Sequence, residues 1–239
     1  MTGILNIQVK PIIGNKELNL KKIEHYIKKY SDKNLDLVVF PEFFSTGISH
    51  EQFLNYPEDE NGGDTIAFIH MPETNINYPV VQTNNNDYYL TRSFDKKKNY
   101  AGWVFMDYRN NIDNLSVNTV IYGHGREDKT VFGSLQNALN KKWQENKDNY
   151  IIWLSTEKEN MMFQIFSIYT IKSELYYIET DFPTEESKKN WIDTMVSRNI
   201  GIKKTPVSYD DKILTLSTCE NAYGGRIVVQ AKLIKRQAK

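Results

Sequence analysis

The chain of 239 residues contains a single cysteine, Cys219, so no disulfide can form within it. It also lacks any run approaching the roughly 18 to 20 apolar residues of a membrane-spanning helix. Its first apolar stretch is interrupted by Asn6, Gln8 and Lys10 and does not resemble a signal peptide. A lone thiol is compatible with either redox environment, so the sequence leaves the compartment open.

An excess of charge of either sign is also missing. Thirty Lys and Arg residues balance thirty Asp and Glu residues, which argues against nucleic acid or an anionic membrane as a partner. No grouping of His, Cys, Asp and Glu has the spacing of a metal site. The glycine pairs at 62–63 and 224–225 lack the GK[ST] ending of a phosphate loop. We therefore expect no metal and no cofactor.

Segments rich in β-branched and aromatic residues dominate the chain after about residue 65. They predict strands at 66–70, 78–82, 102–106, 119–122, 150–155, 161–171, 212–217 and 226–234. Helices are predicted at 131–146 and at 185–198, the second opened by Thr184 and two glutamates. The pattern predicts a mainly β fold with inserted helices.

Three residues suggest a reaction. Cys219 ends the run 215–219 (TLSTC), and a thiol becomes a useful nucleophile only as its thiolate, beside a base or a cation. His124 lies in a glycine-flanked turn after the apolar segment 119–122, and Arg226 can donate hydrogen bonds to an oxyanion. The set predicts acyl transfer through a thioester. A lone cysteine is more often a small buried apolar residue and a histidine near glycine is often a turn residue, so spacing alone does not settle the assignment.

Four ordered motifs carry a family resemblance. They are residues 75–82 (NINYPVVQ), 104–110 (VFMDYRN), 118–124 (NTVIYGH), and 215–219 (TLSTC) with 226–229 (RIVV). On these motifs the stretch from about 66 to 235 resembles the class B sortases, the cysteine transpeptidases of Gram-positive cell surfaces. The resemblance implies a sortase-type β-barrel with inserted helices.

The resemblance also implies roles for individual residues. Cys219 attacks the threonine carbonyl of a sorting signal, and His124 is the acid for the leaving amine and then the base for the incoming one. Arg226 binds the substrate carbonyl or oxyanion, with the backbone N–H of Glu220 as a second donor. The substrate cleft of the family matches at Asn86, Leu90, Tyr177, Ile178, Ser217 and Glu220, and Ser173 stands where a relative carries threonine, which keeps a hydroxyl in the cleft.

Two positions bear on whether the catalytic set has an acidic third member. Asn221 stands where a relative carries aspartate, which puts an acidic third member in doubt, and Asp107 is interpreted as structural.

The partners implied are a sorting-signal peptide, of the Asn-Pro-x-Thr type in this class, and an amine acceptor. The acceptor is either a peptidoglycan cross-bridge or a lysine of another protein. The family acts at the extracellular face of the membrane, whereas no anchor is visible in this sequence.

The first part of the chain has a different pattern. A strand at 5–9, an amphipathic helix at 19–29 and an apolar strand at 35–40 predict a βαβ unit. Residues 41–47 (PEFFSTG) resemble the first catalytic motif of the nitrilase superfamily of carbon–nitrogen hydrolases, in which Glu42 is a general base. The lysine and cysteine motifs of that superfamily are missing. We therefore expect a fusion of a non-catalytic nitrilase-like fragment at 1–64 with a sortase-like domain at 65–239.

Three alternatives stay open. In the first, the protein is a catalytically idle module whose cleft binds sorting signals. In the second, it is a carbon–nitrogen hydrolase that uses Glu42. The amino-terminal segment is alternatively the helical layer that class B sortases carry before their barrel.

Overall fold

The computed structural model describes residues 4–7, 16–31, 33, 37–39, 63–172, 174–218 and 225–239. The chain divides into two compact units, Met1–Tyr56 and Pro57–Lys239. Every helix in these ranges is too short or too polar to span a bilayer.

The first unit contains two short strands and one helix. Strand β1 (Ile4–Asn6) is followed by helix α1 (Lys16–Lys29) and strand β2 (Leu37–Val39). The strands pair in parallel, with Ile4 opposite Leu37 and Asn6 opposite Val39. A parallel pair needs a crossover between its strands, and α1 is the element that supplies it. The predicted strand–helix–strand order is therefore present, while the Glu42 motif lies outside the described residues.

The second unit contains eight strands and two α-helices among its described residues. The strands are β3 (Thr65–His70), β4 (Asn77–Val81), β5 (Phe105–Met106), β6 (Asn118–Gly123), β7 (Ile151–Ser155), β8 (Glu159–Lys172), β9 (Ile213–Thr218) and β10 (Gly225–Ala238). The α-helices are α2 (Lys141–Glu145) and α3 (Glu185–Ser197), and 3₁₀ turns cover Tyr88–Leu90, Gly133–Leu139, Lys147–Tyr150 and Tyr176–Ile178.

The eight strands close into a barrel in the order β10–β8–β7–β3–β4–β5–β6–β9. The pairs β4–β5 and β6–β9 are parallel, and the other neighbours are antiparallel. Closure satisfies the backbone groups that an open sheet would leave at its edges. Each predicted strand of this region contributes to the barrel, so the mainly β fold with inserted helices is confirmed.

Two predicted elements differ from the structure. The segment 131–146 is not one helix, because the extended backbone of Asn140 ends the 3₁₀ turn and its side chain caps Lys142 of α2. The strand predicted at 102–106 is reduced to Phe105–Met106. Gly102 has a φ of +60°, and the N–H of Trp103 donates to Tyr89, so the backbone before Phe105 bonds to a loop instead of a strand.

Helix α3 covers one side of the barrel. Its start is fixed by Thr184, which accepts a hydrogen bond from Ser187 in a capping box. Its apolar face buries Trp191 and Met195 against a cluster that reaches Tyr177 in the turn after β8. This packing holds the Tyr176–Ile178 turn beside β9 and β10, which carry the residues predicted to be functional.

Candidate functional site

Two parallel strands end side by side at one rim of the barrel. In the β6–β9 pair, Gly123 lies opposite Thr218, the last residue of β9. His124 follows Gly123 in the chain, and Cys219 follows Thr218. Cys219 itself lies outside the described residues, as do Glu220 and Ser173, which were also predicted to belong to the site.

His124 is partly buried and tightly held. Its Nε2 lies 2.8 Å from the carbonyl oxygen of Leu90, and because a carbonyl oxygen only accepts, Nε2 carries a proton in this contact. The backbone carbonyl of His124 accepts from the N–H of Phe132 at 3.0 Å. A hydrogen bond at one ring nitrogen selects the tautomer of the other. In the neutral imidazole, Nδ1 is therefore the nitrogen that accepts a proton.

Arg226 lies at the start of β10, next to the end of β9. Its neighbour Ile227 donates its backbone N–H to the hydroxyl of Thr218 at 2.8 Å, which ties β10 to the last residue of β9. The Nη1 of Arg226 donates to the hydroxyl of Tyr177 at 3.0 Å. The structure thus brings the guanidinium to the rim at which β6 and β9 end.

The predicted cleft residues fall into two groups. Tyr177 and Ser217 are fully buried and lie 2.8 Å apart, hydroxyl to hydroxyl. Asn86, Leu90 and Ile178 are partly exposed. Leu90 is the residue whose carbonyl binds His124. Tyr177 and Ser217 join the Arg226 side of the site, and Leu90 joins the His124 side.

A buried carboxylate links several of these residues, and sequence reasoning assigned it no role in the site. Asp107 is fully buried, and it accepts from Asn86 at 3.0 Å and from the hydroxyl of Tyr122 at 2.8 Å. Arg109 donates to both oxygens of Asp107 and also to the carbonyl of Ile178 at 2.9 Å. Asp107 therefore joins Asn86 to the Tyr176–Ile178 turn. The signal was present in the motif at 104–110, where Asp107 and Arg109 stand two residues apart.

Burial and hydrogen bonding act in opposite directions on this carboxylate. Burial raises the pKa of Asp107, but hydrogen bonds from Arg109 and Tyr122 outweigh it and bring the pKa below its ordinary value. Burial, together with the charge of Asp107, raises the pKa of Tyr122 far above its ordinary value. Asp107 is thus ionised at neutral pH and Tyr122 is protonated. This pairing supports the structural interpretation of Asp107, with the addition that it holds a predicted cleft residue.

Metal ligation finds no support in the described ranges, where no three His, Cys, Asp or Glu side chains come close enough to hold an ion. The described residues at the rim supply an imidazole and a guanidinium that is hydrogen-bonded to the hydroxyl of Tyr177. Such groups suit proton transfer and the stabilisation of an oxyanion.

Comparison with known families gives two matches. The Sortase domain family matches residues 69–234, and the Carbon-nitrogen hydrolase family matches residues 6–129. The second match supports the nitrilase resemblance of the amino-terminal segment. The two matches overlap at 69–129, a stretch that contains the end of β3, strands β4 to β6 of the barrel, and the loops between and after them.

Individual proteins are similar over most of the chain. Sortase B of Staphylococcus aureus is 35% identical over 175 residues, which cover 72% of this chain and 71% of that protein. A Staphylococcus aureus sortase B–substrate complex superposes with a TM-score of 0.70 at 31% identity, covering 92% of this chain and 94% of the other. A sortase B complexed with Gly3 superposes with a TM-score of 0.71 at 31% identity, covering 92% and 97%.

Proposed function

The chain belongs to the class B sortases and is a sortase-type transpeptidase, and from that premise we propose that it cleaves a sorting signal of the Asn-Pro-x-Thr type through a thioester on Cys219. The acyl group passes to an amine, which anchors the signal-bearing protein to the cell wall. One observation carries this proposal. Gly123 and Thr218 are paired in register, and the predicted base and nucleophile are the next residues of those two strands.

The first half of the reaction forms the thioester. The Cys219 thiolate adds to the threonine carbonyl of the signal, and the carbonyl oxygen becomes an oxyanion. When the intermediate collapses, the C–N bond breaks and His124 gives its proton to the departing amine. Because Nε2–H is donated to Leu90, the proton exchanged with substrate is the one on Nδ1.

The second half reverses the proton transfer. An incoming amine adds to the thioester carbonyl, and neutral His124 takes a proton from it at Nδ1. The C–S bond then breaks, which frees the Cys219 thiolate and leaves a new amide. In both halves Arg226 donates to the oxyanion, with the N–H of Glu220 as the second donor. The permanent charge of Arg226 also favours the thiolate over the thiol.

The partners proposed are a signal peptide and an amine acceptor. Related structures support both classes of partner, since one sortase B was solved with substrate and another with Gly3. In this chain Asn86, Leu90, Ser173, Tyr177, Ile178, Ser217 and Glu220 are proposed to form the peptide cleft. Residues 1–64 are proposed to be a non-catalytic nitrilase-like fragment, and residues 65–239 the catalytic domain.

Cleavage of a quenched fluorescent Asn-Pro-x-Thr peptide tests the proposal, with and without a small amine, for the parent chain and Cys219→Ala. The parent should cleave the peptide and form an amide product with the amine, and Cys219→Ala should do neither while still binding the peptide. Peptide binding without cleavage by the parent would instead identify an idle binding module. Hydrolysis of small amides that disappears in Glu42→Gln would identify a carbon–nitrogen hydrolase.

A further inference from the structure

A directed chain of hydrogen bonds runs from Arg226 to the backbone just before Cys219. A guanidinium has only donors, so in its 3.0 Å contact with Arg226 the Tyr177 hydroxyl accepts. The Ser217 hydroxyl lies 3.2 Å from the carbonyl oxygen of Thr218, which only accepts, so Ser217 donates there. Ser217 must then accept from Tyr177 across the 2.8 Å contact between the hydroxyls. Each hydrogen bond in this series therefore has a defined donor and a defined acceptor.

The two hydroxyl-bearing residues in the middle of this hydrogen-bond series are buried. Tyr177 and Ser217 are both fully buried. The Tyr177 ring packs in the cluster that contains Trp191 and Met195 of α3. Its backbone carbonyl accepts from Asn118 at 3.2 Å. A hydroxyl held by ring packing, backbone and a serine partner has little freedom to turn toward a peptide in the cleft.

Arginine, by contrast, has a long side chain with many rotamers. An acceptor fixed by the barrel selects the rotamers that direct Nη1 toward Tyr177. A preorganised donor stabilises developing negative charge better than a mobile one, since no reorganisation is needed during the reaction.

We propose that Tyr177 is a positioning residue for Arg226, oriented in turn by Ser217, and that its hydroxyl does not bind the peptide. The inference rests on the proposed function, in which Arg226 donates to the oxyanion. It reassigns two residues that the family resemblance placed in the substrate cleft. Their effect on the reaction is exerted through the guanidinium.

Tyr177→Phe tests the inference, because it keeps the ring and removes only the hydroxyl. We expect kcat for peptide cleavage to fall roughly 10- to 100-fold, less than or similar to the loss of one oxyanion donor, with KM changed less than about twofold. Ser217→Ala should produce a smaller fall of the same kind. A rise in KM with kcat unchanged would assign the hydroxyl to peptide binding and overturn the inference.

Tyr169→Phe is the matched control. Tyr169 is a second buried tyrosine of the same cluster, and its hydroxyl contacts the sulfur of Met195 at 3.3 Å. The variant removes the same atom from the same packing and should leave kcat and KM as in the parent. Equal losses of kcat in Tyr169→Phe and Tyr177→Phe would mean that the hydroxyls act only through the fold, which also overturns the inference.

A measurement that needs no activity separates this inference from the proposed function. In ¹⁵N NMR spectra of the full chain, guanidinium protons of Arg226 that are hydrogen-bonded should give resolved signals, assigned with Arg226→Lys. Tyr177→Phe should broaden or move these signals, and Tyr169→Phe should not. If the parent cleaves no peptide but the signals respond, the positioning stands and the transpeptidase proposal fails. If the signals do not respond, the positioning is wrong whatever the activity.

Discussion

Gly102 and His124 are so close that a methyl group on Gly102 would lie 2.7 Å from Cδ2 of the imidazole. The same methyl would lie 2.9 Å from the carbonyl oxygen of Leu90, which binds Nε2 of that ring. Gly102 also has a φ of +60°, in the left-handed region that favours glycine. Glycine at this position thus lets the loop pass behind the ring without displacing it.

Gly102→Ala should therefore displace the imidazole and lower kcat for peptide cleavage roughly 100-fold, the cost of a shift of about 1 Å in a catalytic group. Gly63→Ala is the control, since Gly63 has a φ of +85° and a methyl there would meet nothing within 4 Å. Both variants should lose about 1 kcal/mol of stability from backbone strain, and Gly102→Ala should lose more because its methyl also meets the backbone carbonyl oxygens of Tyr89 and Leu90 at 2.8 and 2.9 Å. Steady-state kinetics and thermal unfolding measure both variants. Equal kcat in the two would contradict the role of the close approach between Gly102 and His124.

Removing the buried charge of Asp107 should be costly. In Asp107→Asn, Arg109 loses its charged partner and only one acceptor oxygen remains for Asn86, Tyr122 and Arg109, so we expect roughly 3 kcal/mol less stability and a higher KM for the peptide. Asp113→Asn breaks the exposed pair with Lys158, at 2.9 Å, and should cost at most about 1 kcal/mol. Urea unfolding and peptide kinetics measure both. An Asp107→Asn protein with the parent's stability would show that the network contributes little.

His70 should make the barrel less stable in mild acid. It ends β3 and packs beside Trp153, with 5.6 Å between ring centroids. Burial lowers the pKa of His70 from 6.5 to about 4. Between these values the unfolded chain binds a proton that the folded chain does not, so the free energy of unfolding decreases as pH falls from 6.5 to 4.

The contribution of His70 to this decrease is isolated by His70→Gln. The unfolding free energy of the parent minus that of the variant should be constant above about pH 7. It should decrease as pH falls toward 4, because only the parent loses stability through His70. Urea denaturation across this range provides the measurement. A difference that does not change with pH would mean that His70 has the same pKa in both states.

The junction between the two proposed parts of the chain can be tested by truncation. Asp64 contributes to the barrel unit, because its carboxylate accepts from Tyr89 at 2.8 Å and pairs with Lys96 at 2.9 Å, and its carbonyl accepts from Gln82 at 2.9 Å. A chain of residues 63–239 should unfold cooperatively. A chain of residues 65–239 should be about 1 to 3 kcal/mol less stable, because these partners are left unpaired. Failure of both chains to fold would mean that the amino-terminal segment is needed by the barrel.

The elements predicted best are those with a local pattern. Each barrel strand has a β-branched or aromatic run of its own, and α3 has its capping threonine at the expected position. The predicted helix at 131–146 was wrong because Asn140 caps a new helix within it, a competition that periodicity does not reveal. The strand at 102–106 was too long because Gly102 has a positive φ and the N–H of Trp103 donates to the carbonyl of Tyr89, a contact that a local pattern does not reveal.

The candidate site was predictable to the extent that chemistry is tied to residue type. A thiol, a glycine-flanked histidine and an arginine near a strand start could be named from the chain, and their order in four motifs supplied the family. Asp107 and Gly102 could not be assigned to the site in this way. Their roles come from contacts with Asn86 and His124, which lie about twenty residues away in the sequence and meet them only in the fold.

Composition and local pattern were thus sufficient to predict the mainly β fold class, the family and the residue types available for acyl transfer. Barrel closure established that β6 and β9 run parallel with Gly123 opposite Thr218, that Arg226 donates to the buried Tyr177 hydroxyl, and that Asp107 accepts from Asn86. The difference is one of sequence separation. Strand propensity and side-chain chemistry are properties of short segments, whereas a hydrogen bond between distant residues exists only once barrel closure has set the register of every strand.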